Sequence, residues 1–303
     1  MKKNLKQLED KVISYIFLAP SIVILGLFMM YPIVWAFIAS FKNIKLIDMV
    51  KARGIGSTFT VPGKFTGFEN YINVFKDENF LNALINMAYL AIIYIPITIA
   101  LSILLAVLLN QKLKGTNFFR TALFVPYIVS LVSAGLLFKF LFQGDGLVNG
   151  VLQMLEATNV KWLLNRWTAL FVVALMNSWR KVGYFMLIYL AGLQNIPETL
   201  YEASKIDGAT PKQSFMKITL PLLNKISFVV FILLLIDTLK VFQEIYILTG
   251  AKGGEIATVP FYIYTNAFVS NKFGFASAMS YVLFIITLII LAIRGYLSRK
   301  NNY

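Results

Sequence analysis

Six apolar segments, each long enough to cross a bilayer, constrain this chain more than any other feature. They lie at roughly 12–41, 83–110, 117–142, 168–193, 225–249 and 273–297. A membrane-spanning helix needs about 20 mostly apolar residues. In lipid its backbone N–H and C=O groups must find their partners inside the helix. The pattern therefore predicts an all-α, polytopic membrane protein with six transmembrane helices. Composition agrees: 58% of the residues are hydrophobic and 14% are charged, against roughly 25% charged in soluble domains. Mean hydropathy is +0.73. The apolar run of the first segment is about 30 residues, well beyond the roughly 7–15 of a cleavable signal's core, so it is expected to stay as a span.

The chain has no cysteine and no histidine. Disulfides, thiolate metal sites and cysteine nucleophiles are excluded. So are the commonest general base and the usual zinc ligand. The net charge of +14 reads as topology and attraction to anionic lipid headgroups rather than nucleic-acid binding. With the N-terminus in the cytoplasm, the inside segments carry 14 basic and 5 acidic residues, and the outside loops 10 and 7. That bias favours both termini on the cytoplasmic side. The longest polar stretch, 42–82, has about 40 residues, too few for a separate domain. The expected division is 1–82 for the first helix and an extracytoplasmic loop, 83–297 for a core of five spans, and 298–303 for a cytoplasmic tail. Pro20, Pro32, Pro96, Pro126 and Pro260 fall in or beside the spans and read as packing kinks.

One polar segment breaks the apolar pattern. Residues 201–221 read YEASKIDGATPKQSFMKITLP, and the start and stop signals around them predict two short helices. Asn195 is the expected N-cap of the first, with Pro197 and Glu198 following in capping-box order. Gly208 is its stop. Thr210, Pro211 and Gln213 form a second capping box, and Phe215, Ile218 and Thr219 continue that helix to Pro221. Leu200, Tyr201, Ala203, Ile206 and Ala209 need apolar cover. Either the membrane surface supplies it or a protein partner does.

These residues carry a resemblance. Glu202-Ala203-Ser204, Asp207-Gly208-Ala209 and Ile218-x-Leu220-Pro221 resemble the EAA loop of permease subunits of binding-protein-dependent ABC importers. The spacing of EAA, three residues, glycine, nine residues, isoleucine, one residue, Leu-Pro is kept, with serine at the third EAA position. FTGFENYINVF at 65–75, KLKGTNFFRTALFVPYIVS at 112–130, WRKVGYFMLIYLAGLQNIP at 179–197, LKVFQEIYILTGAKGG at 239–254 and FGFASAMSYVLF at 273–284 are similar to blocks of the sugar-type members, among them the maltose, multiple-sugar and glycerol-phosphate permeases. The resemblance implies a type I ABC importer permease fold. It implies that about 195–221 is a coupling helix docked in a separate ATPase subunit, with Glu202 and Gly208 its most characteristic residues. Two ATPase copies, a second, related but non-identical permease chain and an extracytoplasmic solute-binding protein would be the partners. ATP and Mg would belong to the ATPase subunits and no cofactor to this chain. The sequence has no G-x-x-x-x-G-K-[ST] phosphate loop of its own.

Five ionisable residues fall within apolar segments. Arg180 and Lys181 sit midway along 168–193; Asp237, Lys240 and Glu244 lie in 225–249 at spacings that put them on one face of a continuous helix. A charge at the bilayer centre costs roughly 2.5–3.5 kcal/mol unless it faces a bundle interior or water. Two readings stand. One is an internal ion-pair network, Arg180 and Lys181 against Asp237 and Glu244. The other is a polar path for a hydroxyl-rich solute. By resemblance to maltose-type permeases, that path maps onto Asn177, Arg180, Lys181, Tyr184, Thr238, Val241 and Gln243, with Trp179 or Phe242 as aromatic platforms. The maltose-type site has small or apolar residues where this chain has Arg180 and Lys181, which leaves a neutral and a phosphorylated solute both open. Lys139 is expected to snorkel to the interface. The leading function is thus a carbohydrate importer's permease subunit, not itself an enzyme. The alternative is an ion-coupled transporter or channel using Asp237 and Glu244. A lipid-modifying enzyme is disfavoured by the missing histidine, cysteine and metal motifs.

Overall fold

The computed structural model describes Tyr15, Asp48 and residues 17–45, 61–111, 115–250 and 253–300. Residues 1–11, the beginning of the first span, Lys112, Lys114, Lys252 and tail residues 301–303 lie outside the described residues. The described part is mostly helical, as the apolar pattern requires, with one short antiparallel pair, β1 (Lys42–Asn43) and β2 (Lys64–Phe65). Among the described residues four helices are long and apolar enough to cross a membrane, or five if one bent pair counts as a single span.

The chain divides into two compact units, one of residues 1–77 and 263–287, the other of 78–262 and 288–303. The first unit holds α1 (Phe17–Ser40), the β1–β2 pair and α2 (Glu69–Lys76). The stretch read as a loop at 42–82 therefore has structure of its own. Asn70 Nδ2 donates to the carbonyls of Ser40 and Lys42, and Ser40 Oγ and Tyr71 Oη share a hydrogen bond of 2.6 Å. Residues 26–30 of α1 form a wide π turn just before Pro32. Proline cannot donate to the carbonyl four residues back and crowds it, and a π turn there relieves that crowding.

The second unit is built on two long helices, α3 (Glu78–Asn110) and α7 (Arg166–Gln194). Buried hydroxyls join them: Thr98 Oγ1 donates to Ser178 Oγ at 3.1 Å, and Ser102 Oγ to the Val182 carbonyl at 3.0 Å. Small polar residues allow such close helix contacts where lipid offers no competing water. Leu90, Leu170, Met186, Tyr189 and Leu234 belong to the core they share. Pro96 sits inside α3 without ending it. At 29 residues α7 is about 44 Å long, but Asn177, Arg180 and Lys181 make its middle polar, and it is not among the four apolar helices.

Two expected spans are broken. Segment 117–142 is α4 (Thr116–Ile128) and α5 (Leu131–Phe142), separated by extended Val129 and Ser130. Ser130 Oγ caps α5 by accepting from the Ser133 N–H. Segment 225–249 is α10 (Asn224–Leu239) and α11 (Gln243–Thr249). A short helix, α6 (Leu147–Met154), follows α5, and Asn149 ties together the loops on its two sides, through Gly144 before it and Val160 and Trp162 after it. The last helices are α12 (Val259–Tyr264) and α13 (Phe273–Lys300). Between α7 and α10 lie the two short helices read from residues 195–221, α8 (Glu198–Ile206) and α9 (Pro211–Leu222). The α9–α10 junction bends by 63°.

Candidate functional site

The hairpin α8–α9 closes on local signals. The Gly208 N–H reaches the Lys205 carbonyl at 3.1 Å and the Ala209 N–H the Ser204 carbonyl at 2.9 Å. This is the paired stop that a left-handed glycine permits, and Gly208 has φ +74°. Thr210 and Gln213 then form the expected capping box. The Asn195 expectation fails. Asn195 is the C-cap of α7, its amide donates to the Ala191 carbonyl, and Pro197 takes the N-cap of α8 without a side-chain bond. The apolar pattern of α7 runs on to Gln194, so Asn195 closes the longer helix.

Helix α8 has two faces. Tyr201 Oη and Thr219 Oγ1 are 2.9 Å apart, and Ser204 Oγ and Ser214 Oγ 3.0 Å, so one face is stitched to α9. Ser204 is buried there. The site admits only a small side chain, and serine adds a cross-hairpin hydrogen bond that alanine could not make. The other face is open. Glu202, Ala203, Asp207 and Gly208 are exposed, and Ile206 is 87% exposed. Ala209, Ile218 and Leu220 are half-buried and Pro221 is exposed. An isoleucine so bare, beside acidic side chains, is a surface suited to a partner.

The intramembrane charges meet around a cavity of about 220 Å³, lined by Tyr94, Asn177, Arg180, Lys181, Lys240 and Gln243 together with Leu131, Asp237 and Glu244. The single-face argument for Asp237, Lys240 and Glu244 does not survive. Helix α10 stops at Leu239 and Lys240 is its C-cap. The break, not a helical repeat, brings the three side chains to one cavity. Of the expected network, Lys181 Nζ pairs with Asp237 at 2.9 Å. Arg180 instead donates from Nη2 to the Val129 carbonyl at 3.2 Å. Glu244 is buried and lines the cavity beside Asn177.

Consecutive cations on α7 thus serve both helix breaks. Arg180 satisfies a carbonyl freed at the α4–α5 break, and Lys181 pairs with the end of α10. The α10–α11 break has a further partner, since Thr258 Oγ1 donates to the Val241 carbonyl at 2.5 Å. An unsatisfied backbone group in hydrocarbon costs several kcal/mol, so irregular backbone at this depth survives only where it finds such partners or lines a cavity.

The other expected path residues lie behind or beside the cavity. Thr238 is buried and bonds the Leu234 carbonyl; Val241 is buried. Tyr184 stacks on Tyr127, rings 4.6 Å apart and 12° from parallel, and Lys181 Nζ lies 5.3 Å from the Tyr127 ring. Trp179 packs on Phe138 and Phe242 on Tyr246 and Phe261, so neither expected platform lines the cavity. Tyr94 and Tyr127 escaped notice in the sequence. A tyrosine within an apolar run was the one signal, and Tyr94 Oη is buried with no hydrogen-bond partner. A larger cavity of about 760 Å³ lies in the first unit, lined by Asn70, Asn73, Lys272 and neighbouring polar residues. It belongs to the loop region, not to the helices flanking the hairpin.

The permease from Bacillus subtilis named probable ABC transporter permease protein YurN is 36% identical over 286 residues, covering 92% of this chain and 94% of that protein. The lactose transport system permease LacF of Rhizobium radiobacter is 32% identical, covering 99% and 98%. The arabinooligosaccharide permease AraP of B. subtilis is 34% identical, covering 93% and 87%. Among solved structures, a bacterial alginate ABC transporter in complex with a pentasaccharide-bound periplasmic protein has a chain that superposes with a TM-score of 0.80 at 24% identity, covering 97% of this chain and 96% of that one. The fold is that of an ABC importer permease. Residues 99–303 match the family described as binding-protein-dependent transport system inner membrane component, and the chain belongs to that family.

Proposed function

We propose that this chain is the membrane-pathway subunit of an ATP-driven importer for a carbohydrate, and that α8–α9 is where the energy enters. The observation that carries the reading is the hairpin itself: closed by a paired glycine stop and a capping box, it presents Glu202, Ala203, Asp207 and a bare Ile206 on its open face. A structured surface without cover fits a rigid docking element. Glu202, Ala203, Ser204, Asp207, Gly208, Ala209, Ile218, Leu220 and Pro221 form the coupling segment. ATP and Mg are held by two copies of a partner ATPase. The relatives transporting lactose and arabinooligosaccharides support a carbohydrate as cargo, received from a binding protein outside. A second, related permease chain completes the pathway. The cavity at the two helix breaks is the solute contact of this chain, with Asn177, Arg180, Lys181 and Gln243 on its wall; Tyr184, Thr238 and Val241 back it.

The test is reconstitution with the co-expressed ATPase, partner permease and binding protein. Uptake should require ATP, and Ile206→Asp should abolish co-purification of the ATPase while the variant still folds. Uptake that survives ATP depletion and collapses with an ion gradient would instead assign Asp237 and Glu244 to ion coupling.

A further inference from the structure

An exposed apolar surface runs from the end of α1 onto α2. We propose that α2 is an interfacial helix, seated with one face in the bilayer at the C-terminal end of α1, where it anchors the first unit to the membrane surface. At 24 residues α1 is about 36 Å long, enough to cross a hydrocarbon core of roughly 30 Å. Its last residue, Ser40, therefore reaches the boundary between acyl chains and headgroups, on the side that the charge bias makes extracytoplasmic. Helix α2 is fastened to that end. The Asn70 amide donates to the Ser40 and Lys42 carbonyls, and Tyr71 Oη shares a hydrogen bond with Ser40 Oγ. Eight residues are too few for a helix that is stable alone in water, so these ties give α2 both its shape and its place.

Three faces run along α2. Asn70, Tyr71 and the fully buried Val74 form the packed one. Glu69, Asn73 and Lys76, spaced four and three apart, share a second face. They are exposed and line the polar cavity of about 760 Å³. Phe68, Ile72 and Phe75 follow the same spacing on the third face and are 68%, 53% and 58% exposed. Aligned apolar side chains of this size mark a membrane or protein contact. What selects lipid is continuity with the span. Phe37 lies on the exposed surface of α1. Its ring centroid is 5.1 Å from that of Phe41, and Phe41 is 5.4 Å from Phe68. Three rings thus carry the apolar surface of a membrane-crossing helix onto α2. An in-plane helix buries its apolar face at the acyl boundary and turns its charged face to headgroups and water. Glu69 and Lys76 suit that outer face.

The absence of cysteine permits a direct test. Ile72→Cys, Phe75→Cys, Asn73→Cys and Lys76→Cys each carry a nitroxide in the importer complex, assembled with cysteine-free partner subunits in nanodiscs of phosphatidylethanolamine and phosphatidylglycerol. Collisions with oxygen, which concentrates in lipid, are compared with those of a water-soluble nickel chelate. The logarithm of the oxygen-to-nickel ratio should be positive at 72 and 75 and negative at 73 and 76. Negative values at all four positions put α2 in water and overturn the proposal. Labels at 72 and 75 that neither reagent reaches also overturn it, since a partner subunit or a second copy then covers that face. The unsubstituted complex gives an independent reading. A phospholipid with a diazirine on its acyl chain should crosslink within 68–75, and crosslinks to α1 with none there would equally overturn the proposal. None of these outcomes touches the coupling hairpin or the cargo.

Discussion

Gly208 has φ +74° and open space where a Cβ would project. Substitution there strains the backbone without a steric clash. Alanine should cost about 1–2 kcal/mol of local stability, loosening the hairpin, whereas asparagine, which tolerates the left-handed region, should retain most function. Uptake and ATP hydrolysis measured together in proteoliposomes check this: Gly208→Ala should lower uptake per ATP hydrolysed, and Gly208→Asn should do so less. Lys181 and Asp237 call for a different comparison. Removing one partner leaves a charge in the cavity, and removing both does not. Lys181→Met and Asp237→Leu should each lower the melting temperature of the purified protein, and the double variant should be more stable than additivity predicts. Additive losses would count against a coupled pair. Thr210 and Gln213 were legible in the sequence because a capping box is decided within four residues. Asn195 was not, because whether it starts one helix or ends another depends on how far α7 continues.

At the scale of elements, the two broken spans matter most. Hydropathy averaged along a span locates neither break, because polar residues within an apolar run read the same whether the helix continues or stops. What holds the breaks open is contributed from distant positions: Arg180 to Val129, Lys181 to Asp237 and Thr258 to Val241. Thr258 is fully buried, so Thr258→Val should leave the Val241 carbonyl orphaned and cost about 1–3 kcal/mol, read as a lower unfolding temperature. A similar logic holds where α4 meets α7. A Cβ on Gly183 would come within 1.9 Å of the Leu123 carbonyl oxygen. Gly183→Val must push the helices apart, with a cost of roughly 1–3 kcal/mol or more from overpacking; normal stability of that variant would refute the close approach. The π turns ahead of Pro32 and at 215–219 ahead of Pro221 were likewise hidden. The prolines were visible, but not the local backbone that accommodates them.

For the molecule as a whole, the absence of cysteine makes orientation directly testable. Single cysteines can be introduced without first removing others. With the hairpin cytoplasmic, Glu202→Cys should react with a membrane-impermeant maleimide only in inside-out vesicles, and Asn271→Cys only in right-side-out cells; the reverse pattern would invert the topology. The sequence by itself determined that the chain is a helical membrane protein, because apolar length and the need to satisfy the backbone in lipid leave little choice. It also determined the hairpin's turn and its EAA spacing, because the Gly208 stop, the Thr210–Gln213 capping box and the motif spacing are local. Tertiary structure alone decided that two spans are broken and that Lys181 pairs with Asp237. It alone showed that Tyr94 joins Asn177 and the charged residues around one cavity. Those outcomes depend on contacts between residues far apart in the chain, and hydropathy records how apolar a segment is, not which neighbour satisfies it.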